Sequence, residues 1–144
     1  MSDFEYFSVI GDRAEFRPRG EVSLAQGTGL IKKAIARTRE LGLRNLLVNA
    51  TQLTGFASPS LASRFHFVHE WADAAKGAVR VACVSRPELI DPRKFGVLVA
   101  SNIGLQGDVF LTEEEAIQWL DGPSDGGPDE VTPEAADLWS RAGK

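Results

Sequence analysis

The chain has 144 residues, of which 43% are apolar and 25% are charged, as expected for one soluble globular domain that buries a core. Most of the net charge of −4 lies between Gly122 and Lys144, so the remaining residues are together nearly neutral. They therefore lack the basic surface that binding to nucleic acid or to an anionic membrane would require. The chain has a single cysteine, Cys83, which excludes an intrachain disulfide. It shows no signal-peptide pattern and no long apolar stretch, so we expect a cytoplasmic protein without a membrane span.

The first half of the chain predicts three strands and one amphipathic helix. Two strands, Phe4–Ile10 and Ala14–Arg17, flank the turn dipeptide Gly11-Asp12 and predict a hairpin. The apolar run Leu46–Val48 predicts a strand that is covered on both faces. Between them, a helix from about Ser23 to Leu41 is predicted by apolar residues at spacings of three and four, namely Leu30, Ile31, Ala34, Ile35, Thr38 and Leu41.

The second half alternates helices with strands. A helix from Ser58 to Lys76 is predicted, with Ser58 as the N-cap before Pro59 and an apolar face made of Leu61, Phe65, Val68, Ala72 and Ala75. The later elements are the strand Val79–Val84, a helix from Asp91-Pro92 to Ile103, the strand Asp108–Leu111 and a helix that opens with the capping box Thr112–Glu115. The order ββαβαβαβα predicts an α/β fold with a mixed central sheet of about five strands and parallel right-handed crossovers.

The composition also predicts where the domain ends. Residues 1–121 form the predicted domain. Residues 122–131 are rich in Gly, Pro and Asp, which predicts a flexible linker. Residues 132–144 predict a short helix whose large apolar residues are Leu138 and Trp139, and this helix either docks on the domain or forms a free tail.

Four segments carry a resemblance to a known family: LRNLLVNATQLTGF, RFHFVHEWA, VRVACV and DVFLTEEEAIQWL. With the element order, they make the chain resemble SpoIIAA-like domains of the STAS and SEC14 type. The resemblance implies helices mainly on one side of the sheet and no enzymatic activity. Its STAS side implies the favoured function, a non-catalytic regulatory or protein-interaction module as in anti-sigma-factor antagonists, and its SEC14 side implies the alternative, binding of a small apolar or lipid ligand.

The same resemblance implies a switch position. In anti-sigma-factor antagonists, a serine at the start of the helix after the central strand is phosphorylated to control partner binding, and Ser58 falls at that position with Ser60 nearby. The chain departs from the family because Asn49 replaces its strand-end aspartate and proline follows Ser58. Ser58 is therefore either a switch or only a helix cap. The predicted partner surface runs from Asn49 to Ser60 and includes Thr51 and Phe56.

Aromatic residues and two histidines on the helix after the central strand form a second candidate site. His66, Phe67, His69 and Trp71 are the candidate groove, and Phe67 and Trp71 either contact the core or form an exposed apolar patch. A zinc site usually needs a third protein ligand, and no nearby segment supplies a conspicuous one, so no metal or other cofactor is predicted. The sequence has no nucleophile elbow, P-loop or His-Glu-x-x-His motif, which argues against an enzyme. Homodimerisation through the hairpin edge or the helix of Trp71 stays open.

Overall fold

The computed structural model describes residues 5–91 and 93–122. In chain order, the elements are β1 (Phe7–Ile10), β2 (Arg13–Phe16), β3 (Arg19–Glu21), α1 (Leu24–Glu40), β4 (Asn45–Asn49), β5 (Gln52–Thr54), α2 (Leu61–Ala75), β6 (Arg80–Val84), α3 (Phe95–Asn102), β7 (Gly107–Phe110) and α4 (Glu113–Asp121). A 3₁₀ turn, Pro87–Leu89, lies between β6 and α3. The predicted linker and C-terminal helix lie outside the described residues, apart from Gly122.

The main sheet has five strands in the order β1-β2-β4-β6-β7. β1 is antiparallel to β2, and the other neighbouring pairs are parallel. Val48 of β4 lies opposite Phe16 on one side and Cys83 on the other, and Cys83 lies opposite Val109. The predicted mixed sheet and its parallel crossovers are confirmed.

The helices are divided unequally between the two faces of the sheet. Helices α1, α2 and α3 pack on one face, and α4 packs on the other. The smaller core under α4 consists of Leu47, Ala82, Val84, Ala116 and Leu120. Because each fully buried aliphatic side chain contributes about 1.5–3 kcal/mol, both faces of the central strands stabilise the fold. The prediction of helices mainly on one side is confirmed.

Two short strands were not predicted. β3 and β5 pair in parallel as a separate two-stranded sheet, with Gly20 opposite Leu53. Gly55 follows β5 with φ +103°, and a Cβ there would lie 2.5 Å from the carbonyl oxygen of Val22. Glycine is therefore required where the chain passes close to the start of α1 on its way to α2.

The helix starts follow local capping rules, with one shift. Ser23 caps α1 and forms the reciprocal capping box with Gln26. Asp91, which was predicted to open the third helix, lies four residues before α3, and its Oδ2 accepts the Phe95 N–H at 2.7 Å. Asp91 therefore bonds to the first residue of α3, but α3 begins later than predicted because Lys94, in the left-handed conformation, is its N-cap.

Candidate functional site

A cavity of about 140 Å³ lies between the sheet and the three helices on its larger face. Val81, Cys83 and Ser85 line it from β6 and the residue after it, since alternate residues of a strand point to the same face. The rest of its wall is mainly aromatic and aliphatic and includes Leu24, Ile31, Leu53, Phe56, Phe67, Val68, Trp71, Leu89, Ile90, Val97, Ala100, Leu105 and Val109. A mostly apolar cavity with a few polar groups is typical of small-molecule sites.

Helix α2 buries only part of its predicted apolar face: Val68 and Ala75 are buried, and Ala72 packs against the core. Leu61 and Phe65 were predicted to be buried, but they are 56% and 51% exposed. Phe67 and Trp71 instead pack against the core and line the cavity, with their ring centroids 4.7 Å apart. The indole N–H of Trp71 donates to the carbonyl oxygen of Thr28 at 3.0 Å. Because a buried indole N–H needs an acceptor, this bond fixes the rotation of α2 with the aromatic pair inward.

Two segments outside the helices complete the wall of the cavity. The loop before α2 contributes Phe56 and Pro59, and the 3₁₀ turn contributes Leu89. Arg64 joins the two segments: its Nε donates to the Pro59 carbonyl at 3.2 Å, and its Nη2 donates to the Leu89 carbonyl at 3.0 Å and to Ser58 Oγ at 3.1 Å. One guanidinium therefore holds the loop and the turn together beside the cavity.

Ser60, and not Ser58, caps α2. Its Oγ accepts the backbone N–H of Ser63 at 3.1 Å, and the helix begins at Leu61. The prediction that Ser58 is the N-cap is wrong, because its Oγ accepts from Arg64 instead. Both serines are exposed. A cap rule applied to Ser58-Pro59-Ser60 admits either serine, and the position of Arg64 relative to the loop separates them.

Asn49 and Thr51 lie on the opposite side of the sheet from the cavity. The side-chain amide of Asn49 donates to Glu113 at 2.7 Å, and its Oδ1 accepts from the N–H and the hydroxyl of Thr51. Arg17 donates to both carboxylate oxygens of Glu113, at 2.8 and 2.9 Å, and pairs with the buried Glu15 at 2.7 Å. The bonds from Arg17, and then from Asn49, hold the pKa of Glu113 below its ordinary value. This network joins β2, β4 and the first turn of α4.

The structure divides the predicted groove residues into two groups. Phe67 and Trp71 line the cavity, whereas His66 and His69 do not. His66 is 80% exposed, with Nε2 at 3.9 Å from Glu70 Oε1. His69 stacks on Phe65 at 4.2 Å between ring centroids and places Nδ1 at 2.8 Å from the Phe65 carbonyl oxygen. In the part of the chain that the structure describes, no three potential metal ligands cluster.

Cys83 and Ser85 bring different chemistry to the cavity. Cys83 is buried, and burial together with the nearby Asp108 carboxylate raises the pKa of its thiol to about 12. Ser85 donates its backbone N–H to Phe110 at 3.0 Å, which fixes its position at the end of β6. The sequence predicted Cys83 as a core thiol but did not single out Ser85, although it continues the alternation of Val81 and Cys83.

The charged groups that line the cavity are paired with other groups. Lys94 Nζ lies 2.9 Å from Asp108 Oδ1, Arg64 donates to the loop and the turn, and Asp91 accepts from the start of α3. The sequence predicted Asp91 only as a helix cap, and it did not single out Arg64, Lys94 or Asp108, because no local pattern reveals their bonds to other segments or to backbone carbonyls. The lining therefore combines an apolar wall with one ion pair and two charged side chains that are bonded to backbone groups.

Comparisons with known proteins give a likeness of fold. No protein-family model and no curated protein matches the chain. Among solved structures, the fold is similar to the anti-sigma factor antagonist SpoIIAA in its unphosphorylated form, with 20% identity, coverage of 81% of this chain and 97% of that chain, and a TM-score of 0.47. It is also similar to the protein TM1081, with 16% identity, coverage of 78% and 84%, and a TM-score of 0.42.

Each helix in the described ranges is too short or too polar to span a bilayer.

Proposed function

We propose that the protein is a non-catalytic binding module whose ligand is a small apolar molecule held in the cavity. The observation that carries this proposal is the apolar pocket of about 140 Å³ that Phe56, Phe67 and Trp71 help to line. Apolar surface that contacts water is unfavourable by about 25 cal/mol per Å². An apolar ligand that covers the wall of the pocket removes this surface from water and gains that free energy. Of the two functions that the family resemblance implies, the geometry favours ligand binding.

Toluene is a suitable probe of this proposal because it has no polar group. We expect toluene to raise the melting temperature of the wild-type protein and to shift the indole N–H signal of Trp71, which lines the cavity. Ala100→Leu should abolish both effects, because Ala100 is 4% exposed and its side chain lines the same space.

Ala62→Leu is the matched control, since Ala62 is exposed on α2. It should leave both responses to toluene unchanged. Equal responses in wild type and Ala100→Leu, with the fold of the variant checked by circular dichroism, would overturn the proposal. No response in the wild type would do the same.

The start of α2 favours a second candidate function, the binding of another protein. Leu61 and Phe65 lie one helical turn apart and are both more than half exposed, next to Ser58 and Ser60. Exposed apolar neighbours of this kind mark interaction surfaces. In this proposal the module acts in the cytoplasm, and the surface covers the Ser58 end of the loop. Asn49 and Thr51 contribute indirectly through their network.

A pull-down from the native host tests this second function with the wild type, Ser58→Glu and Phe65→Ser as baits. A partner that is lost with Phe65→Ser supports the surface, and its additional loss with Ser58→Glu supports a charge-sensitive switch. A partner that all three baits retain would place the interaction elsewhere. Size-exclusion chromatography of the same proteins tests self-association through α2, while the edge of β1 is the other predicted dimer contact.

A further inference from the structure

The size of the cavity limits the ligand that it can hold. An apolar cavity of about 150 Å³ in another protein is large enough for one benzene molecule. The cavity here, at about 140 Å³, therefore matches a single six-membered ring or a branched aliphatic group of similar volume. A long acyl chain exceeds this volume and would extend into solvent, so the pocket suits a smaller ligand.

The charges around the cavity favour an uncharged ligand. Two basic residues, Arg64 and Lys94, and two acidic residues, Asp91 and Asp108, line it, so their formal charges cancel. Each of the four is already held by a hydrogen bond or ion pair to the protein. Lys94 and Asp108 pair with each other, and Arg64 and Asp91 are bonded to backbone groups, so a charged ligand would have to displace one of these bonds to gain a counter-ion, and its desolvation is costly.

Ser85 supplies a hydrogen-bonding group that is not yet used. Its side chain lines the cavity on the same side of the strand as Val81 and Cys83. Among the described residues, no hydrogen bond to its hydroxyl is found, whereas its backbone N–H is held by Phe110. A serine hydroxyl both donates and accepts, so it suits a neutral polar group on the ligand.

We infer that the cavity selects an uncharged ligand about the size of one ring, with a single hydrogen-bonding group directed at Ser85. This inference rests on the proposed function and names its ligand class. The apolar wall provides most of the affinity, and the serine orients the ligand. A neutral hydroxyl on a six-membered ring is the simplest compound of this class.

Four probes separate the elements of this inference by NMR titration and calorimetry on the full chain. Phenol carries the ring and a neutral hydroxyl, toluene lacks the polar group, benzoate replaces it with a carboxylate, and dodecanoate joins a carboxylate to a long chain, so its comparison with benzoate tests chain length. We expect phenol and toluene to bind, benzoate to bind at least about tenfold more weakly than phenol, and dodecanoate not to displace phenol.

Ser85→Ala tests the role of the hydroxyl. Loss of one neutral hydrogen bond should weaken phenol binding about fivefold and change toluene binding by less than about twofold. Ser101→Ala is the matched control, because Ser101 is exposed on α3 and does not line the cavity. It should change neither affinity.

The possible failures are distinguishable. Suppose that toluene binds, but Ser85→Ala weakens the binding of phenol and of toluene equally. In that case, or if benzoate or dodecanoate binds more tightly than phenol, the inferred ligand class is wrong and the proposed function stands. If no probe shifts the Trp71 indole signal, both the proposed function and the ligand class are wrong.

Discussion

Arg64 joins the loop before α2 to the 3₁₀ turn, and its removal tests how strongly these two segments support each other. Its guanidinium donates to the carbonyls of Pro59 and Leu89 at 3.2 and 3.0 Å and to the exposed Ser58 hydroxyl at 3.1 Å. A hydrogen bond from a charged donor contributes about 1.5–3 kcal/mol, and an exposed one contributes much less. Because water reaches the carbonyls after the side chain is removed, Arg64→Ala should lower the free energy of unfolding by about 2 kcal/mol.

Urea unfolding measures this change. With a slope of about 2 kcal/mol per molar urea, the midpoint should fall by about 1 M. Hydrogen exchange at Leu89 and Ile90 should also become faster, since the turn loses its tie to the loop. Arg93→Ala is the control, because Arg93 is exposed and its removal should cost less than about 0.5 kcal/mol. An unchanged midpoint for Arg64→Ala, or an equal fall for Arg93→Ala, would refute the reasoning.

Three further predictions concern a glycine, a carboxylate and a thiol. Gly55→Ala should lower stability in thermal unfolding by more than about 2 kcal/mol, because φ is +103° and the new Cβ would lie 2.5 Å from the Val22 carbonyl oxygen. Arg17 holds the folded-state pKa of Glu113 below its ordinary value of 4.5. The resulting stabilisation is complete above pH 4.5 and is lost as the pH falls through the folded-state pKa. In a plot of the urea midpoint against pH, Glu113→Gln should therefore reduce the fall of the midpoint at acid pH. A thiol reagent at mildly alkaline pH should label Cys83 far more slowly in the native protein than in urea, because burial raises its pKa to about 12.

Each of these predictions has its own control. A Cβ at Gly29 of α1 would meet open space, so Gly29→Ala should be harmless or stabilising, and an equally mild effect of Gly55→Ala would contradict the close approach. Glu114→Gln changes an exposed neighbour, and an acid profile altered as much as by Glu113→Gln would remove the assignment to Glu113. Labelling of native Cys83 at the rate of the unfolded chain would show that the thiol is accessible.

The main sheet could be predicted because its strands carry strong local signals. Leu46, Leu47 and Val48 are buried on both faces, which produces a continuous apolar run in the sequence. Gly11, with φ +62°, is the turn glycine that predicts the hairpin. β3 and β5 have only three residues each and pair with each other across α1, so no local pattern reveals them.

The site was harder to predict because apolar residues occupy both flanks of α2. Leu61 and Phe65 fit a helical period as well as Phe67 and Trp71 do. Which pair faces the core depends on contacts with other parts of the chain, such as the bond from the Trp71 indole to Thr28 of α1. Ligand binding was predicted from the family resemblance and from the aromatic residues of the candidate groove on α2. The cavity itself arises where segments far apart in the chain fail to fill the space between them, and no periodicity encodes such a space.

The connectivity of the sheet has a consequence for how the protein folds. In the described chain, β1 and β2 are the only sheet neighbours that a tight turn joins, while each parallel pair of the main sheet is separated in the chain by a helix. Forming those pairs requires closure of long loops, which costs chain entropy before the strands stabilise one another. β4 bonds to both β2 and β6 and contributes to the cores on both faces, so its docking has to bring the two layers together. Folding of this domain is therefore governed by contacts between distant segments and not by its single hairpin.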